Sequence, residues 1–159
     1  MPIYNHFYPD QNQQIGTPQS IQNLFIQGPL LPVVVSLPPA YIQLLQQQGQ
    51  PVPAPVPGLA LVDTGATLCA VDQSLVAAFG IPPSGYEMIQ GANLGSPTFQ
   101  LTYPASLSFP GTTLPNISFA NFVGLPLSSG GIVAVIGRSV LKQFILVYNG
   151  PGGFITLSY

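Results

Sequence analysis

Only four acids occur in this 159-residue chain, Asp10, Asp63, Asp72 and Glu87. Leu61-Val62-Asp63-Thr64-Gly65-Ala66-Thr67 sets Asp63 at the end of an apolar, strand-like run and turns the chain immediately behind it. A carboxylate at such a position is costly unless it is hydrogen-bonded or used. The chemistry open to it is acid–base work. Two carboxylates about 3 Å apart cannot both ionise, so a pair holds one proton between them and can activate a water toward an amide carbon. The chain carries one Asp-Thr-Gly, so such a pair needs two chains meeting at a two-fold axis, each supplying Asp63. The structural alternative is an aspartate that only caps its own turn.

Other constellations are weaker. Ser139-Val140-Leu141-Lys142 has the Ser-x-x-Lys spacing of some serine acyl-transfer enzymes, but their supporting motifs are missing and an ordinary exposed helical pair explains it. Cys69 is the single cysteine and His6 the single histidine, remote in sequence from each other, so a Cys–His nucleophile is not expected and Cys69 reads as a small buried filler. One histidine and one cysteine do not build a metal centre, and no metal or cofactor is expected. Asp72 or Ser74 reads as the cap of the helix before Leu75, and Asp72 is given no catalytic role. Asn116-Ile117-Ser118 fits a glycosylation pattern that matters only in a eukaryotic secretory protein.

The composition narrows the partners. Charged residues make up 4% of the chain, against about 25% in an average soluble protein. With Arg138 and Lys142 as its two bases and a net charge of -2, the chain cannot supply the phosphate contacts of a nucleic-acid binder. No apolar run approaches the roughly 18 residues of a membrane span, and the amino-terminal residues lack the basic and apolar segments of a secretory signal. A cytoplasmic location, with no nucleic-acid or membrane partner, is the expectation.

Around Asp63 the elements are short. Residues 1–29, rich in Gln, Asn and Pro, read as a tail or arm, and residues 30–159 as one domain. Leu30 to Leu37 is a β-branched strand, Ala40 to Gln48 a short helix, and Pro51 to Pro57 an extended spacer delivering the chain to the strand that ends at Asp63. Strands are then expected at 59–63, 68–72, 86–90, 98–109, 114–123, 131–136, 145–149 and 154–158, with helical turns from Gln73 to Phe79 and Arg138 to Phe144. Short strands punctuated by Gly and Pro argue an all-β barrel or sandwich.

Four pieces, in this order and spacing, resemble the retropepsins, the retroviral-type single-domain aspartic peptidases. Asp63-Thr64-Gly65-Ala66 matches their catalytic motif, and the stretch from Tyr86 to Gly95 is placed like their flap hairpin. Ile132 to Arg138 resembles their second signature, an apolar strand followed by Gly137-Arg138, and Phe154 to Tyr159 is placed like the terminal strand that interlocks their dimers. The resemblance covers roughly residues 30 to 159. It implies a closed acid-protease-type barrel with a flap and one or two short helices, half of a two-fold symmetric homodimer acting as an aspartic endopeptidase on peptide or protein substrates.

Residue by residue, the resemblance implies that Asp63 is general acid and base, Thr64 braces the two loops, and Gly65 and Ala66 keep the approach of substrate open. It implies that Gln90, Gly91, Ala92 and Asn93 fold over the peptide. Retroviral members commonly carry an acid two residues after the glycine, paired with the arginine of the second signature, whereas this chain has Thr67. Arg138 must then bond to hydroxyls, carbonyls or another acid. A module of the same fold that binds peptide or dimerises without turnover is the alternative.

Overall fold

The computed structural model describes residues 2–90 and 96–159. The described chain is mostly strand, in two sheets. In chain order the elements are β1 (Ile3–Phe7), α1 (Pro18–Gln27), β2 (Leu30–Ser36), α2 (Pro39–Gln47), β3 (Val56–Val62), β4 (Ala70–Asp72), α3 (Gln73–Ala78), β5 (Gly85–Ile89), β6 (Thr98–Ser108), β7 (Ile117–Leu125), β8 (Ala134–Ile136), α4 (Arg138–Leu141), β9 (Ile145–Asn149) and β10 (Phe154–Ser158).

The larger sheet runs β2-β3-β8-β4-β7-β6-β5, and a further pairing of β2 with β6 closes its first six strands into a ring. Closure depends on the length of β6. Its first half pairs with β5 and its second half with β2, through Val34↔Ser108 and Ser36↔Ser106. Between the halves the register with β7 shifts at Tyr103/Ala105, at Pro104. Proline has no N–H to give a ladder, and the resulting bulge bends the strand enough to serve both partners. The ring encloses the main core, where alternate residues of β2 (Leu31, Val33, Val35) meet Val62, Val71, Leu107, Phe122 and Ile136.

The first 29 residues, expected as a tail or arm, carry two packed elements. β1 pairs antiparallel with β10, which pairs on its other side with β9. β10, expected to interlock two subunits, is therefore hydrogen-bonded on both sides within its own chain. α1 is capped by the Thr17 hydroxyl, which accepts from Ser20 N–H, and is anchored by buried Ser20 and Leu24. Periodicity did not announce this helix, because Leu24 is its one buried large apolar residue while Ile21, Phe25 and Ile26 point outward. Among the described residues there are four short α-helices, of which α2, α3 and α4 fall on the helical segments expected from the sequence, and the framework is all-β.

Candidate active site

β3 and β8 lie parallel, with Val62 opposite Ile136, so Asp63 and Gly137 leave the barrel side by side. Asp63 N–H donates to Ile136 O at 3.1 Å, which fixes the start of the loop. The loop then folds on itself: Gly65 N–H donates to Asp63 Oδ1 at 2.7 Å and Ala66 N–H to Asp63 O at 3.3 Å. Among the described residues Asp63 Oδ2 has no hydrogen-bond partner, and Thr64 and Gly65 beside it are exposed. Asp63 therefore does cap its turn, but with one oxygen only.

The second signature holds the loop from beneath. Arg138 Nη1 donates to Thr64 O at 2.7 Å and Gly65 O at 3.0 Å, and Nη2 donates to Thr67 Oγ1 at 2.8 Å. The backbones are stitched too, by Arg138 N–H to Ala66 O and Ser139 N–H to Thr67 O, both 2.9 Å. The guanidinium fork reaches these three acceptors without an acid, which is how the chain accommodates Thr67. Gly137 has no space for a side chain, since a Cβ there would lie 2.2 Å from Leu68 O.

Cys69 lies directly under this junction. It is buried, its Sγ accepts from Gly137 N–H at 3.3 Å and lies 3.4 Å from Ser139 Oγ, and burial pushes its thiol pKa up. A raised thiol pKa is the reverse of what an attacking cysteine needs. The Ser139 hydroxyl is thus engaged with Cys69, while Lys142 follows α4 and is exposed, and among the described residues no hydrogen bond joins the two. The Ser-x-x-Lys spacing does not assemble a site. Among the described residues no three His, Cys, Asp or Glu side chains gather as metal ligands, and no helix is long and apolar enough to cross a membrane.

Beside the loop the outer surface of the ring carries a second apolar cluster. Ala70, Val123 and Val135 are its buried members, with Ala66, Leu68, Leu125, Leu127, Ile132 and the hairpin residue Ile89 packed on it. Sequence reading gave the hairpin but not these floor residues, although their alternation with core residues such as Val71, Phe122 and Ile136 was a usable signal. Gln90 is exposed at the end of β5. Gly91, Ala92 and Asn93, expected at the flap tip, lie outside the described residues.

Asp72 is the acid that does structural work. Its Oδ1 accepts from Leu75 N–H at 3.1 Å and from the Ser74 hydroxyl, and its Oδ2 from Leu127 N–H at 2.9 Å and Ser128 N–H at 2.8 Å. Burial raises its pKa, but these hydrogen bonds outweigh burial and hold it at about 2, below the ordinary 3.8. Because the folded value is depressed, the stabilisation is fully present above pH 3.8 and is lost as pH falls toward 2. The shift corresponds to about 2 kcal/mol. Asp72→Asn is expected to lower stability by that order at pH 7 and to flatten the stability profile across this acid window, as urea titrations at successive pH values would measure.

A closed six-strand ring whose Asp-Thr-Gly loop is braced by an apolar strand and Gly-Arg is the framework of a retropepsin-like acid protease. The chain belongs to the aspartyl protease family, whose model matches residues 49–140, from just after α2 to within α4. No curated protein matches it.

Proposed function

We propose that the protein is an aspartic endopeptidase acting as a homodimer, in which two Asp63 carboxylates share one proton and hold the attacking water between them. The observation that carries this reading is the free oxygen of Asp63. One oxygen is fixed by Gly65 N–H, which sets the plane of the carboxylate, and the other has no partner among the described residues, in a loop whose neighbouring residues are exposed. A second copy of the loop supplies the missing carboxylate.

The unprotonated oxygen takes a proton from the water as it attacks the scissile carbonyl, and the protonated carboxyl gives its proton to the carbonyl oxygen. The resulting gem-diol collapses with proton transfer to the leaving nitrogen. Arg138 keeps the loop carbonyls in place without touching the peptide. An extended substrate lies between the hairpin, which carries Ile89, and the apolar floor built on Ala70, Val123 and Val135, which favours aliphatic side chains on either side of the cut bond.

Subunit mixing tests the pair directly. Wild-type and Asp63→Asn subunits, denatured together in equal amounts and refolded, are expected to give about a quarter of the all-wild-type activity, since only dimers with two acids cut. About half would mean that each subunit works alone and would overturn the reading. An absence of cleavage by folded wild-type dimer would leave a peptide-binding or dimerisation module.

A further inference from the structure

We propose that α1 is the element through which a second copy of this chain docks, with Ile21, Phe25 and Ile26 buried against the partner. This inference rests on the two-subunit reading of Asp63 and names the surface that brings the subunits together.

The first line of argument is position. α1 ends at Gly28, whose N–H donates to Leu24 O at 2.9 Å, and the chain passes straight into β2 beside the catalytic strand. Pro29 O accepts from Val62 N–H at 2.9 Å, one residue before Asp63, and Leu30 is opposite Leu61. A Cβ on Gly28 would stand 3.7 Å from Leu61 Cδ1. Phe25 and Ile26 precede Gly28 by less than one helical turn, about 5 Å along the axis. The helix therefore ends beside the last residues of the strand that carries Asp63, and a second copy approaching near enough to present its own Asp63 comes close to that helix end.

The second line is surface chemistry. α1 turns Ser20 and Leu24 inward yet leaves Phe25 75%, Ile26 70% and Ile21 37% exposed. An outward apolar stripe is expected on a partner surface, and aromatic anchors dominate such contacts. No charged residue occurs between Gln11 and Val62, so two copies of this face meet without like-charge repulsion.

The third line is what the other candidates lack. β10 is already paired on both sides by β1 and β9, so it is not available to a partner strand. Three of the five N–H donors of Arg138 are already engaged with Thr64 O, Gly65 O and Thr67 Oγ1 of their own loop. Close to the catalytic strand, α1 adds an exposed apolar contact surface.

The test is sedimentation of the full chain in an Asp63→Asn background, where self-cleavage cannot confuse the mass. The double substitution Phe25→Ser, Ile26→Ser is expected to weaken the dimer by about a hundredfold or more, while Leu44→Ser, on the exposed side of α2, leaves the mass distribution unchanged. Circular dichroism and melting of the monomeric variant check that it is folded. With Asp63 restored, the double variant loses cleavage at dilute concentration and regains it when two copies are joined by a long flexible linker, which raises the effective concentration. A double variant that stays dimeric, or a wild type that is monomeric throughout, overturns the role of α1. A folded monomer that still cleaves overturns the two-subunit reading itself, so the two failures are distinguishable.

Discussion

Asp63→Asn protein is expected to remain folded, with an unchanged melting temperature, while peptide cleavage falls by about a thousandfold or more. Asparagine has the shape of aspartate, and its side-chain oxygen can still accept from Gly65 N–H in the 2.7 Å bond that shapes the loop. What it cannot do is take up or release a proton, so the proposed pair would lose both of its acids. Mass spectrometry of a peptide digest at several pH values measures the loss. The same experiment excludes the rival nucleophiles: Cys69 and Ser139 are untouched by the change, so activity depending on either would survive.

How much of this site was legible in the sequence depends on how far apart the interacting residues are. Asp63 and its turn are local: an apolar run, an acid, then Thr-Gly, each with its own backbone preference. The same is true of β9 and β10, whose expected bounds of 145–149 and 154–158 coincide with those observed. Gly137-Arg138 was visible as a motif, but its purpose was not, since the three acceptors of the guanidinium belong to residues more than seventy positions earlier. Asp72 shows the same limit. Its capping of Leu75 lies three residues away and was readable, whereas its grip on Leu127 and Ser128 spans 55 and 56 residues and was not. Barrel closure is more distant still, because β2 meets β6 only after the bend at Pro104. α1 escaped for a different reason: its apolar residues face outward, so the pattern that marks a core-facing helix was inverted.

Gly137→Ala is expected to be strongly damaging to both stability and activity. The backbone at Gly137 is extended, with φ -89° and ψ -179°, so an alanine is acceptable there on conformational grounds. The obstacle is space. The new Cβ would stand 2.2 Å from Leu68 O and 3.0 Å from Ala66 O, and both are backbone atoms of the loop that leads away from Asp63. Neither can swing aside as a side chain tip would. Relief requires α4 and the loop to separate, which stretches Arg138 N–H to Ala66 O and Ser139 N–H to Thr67 O and withdraws Gly137 N–H from Cys69 Sγ. Overpacking of this kind costs about 3 kcal/mol, which for a chain of this size lowers the melting temperature by roughly 6 to 12 °C. Activity is expected to fall further than stability alone predicts, because the Arg138 fork can no longer reach Thr64 O, Gly65 O and Thr67 Oγ1 together. Measured at a temperature where the variant is fully folded, a reduced kcat with little change in KM would trace the loss to the geometry of the Asp63 loop; unaltered melting and turnover would show that the junction of β8 and α4 yields more readily than its packing implies.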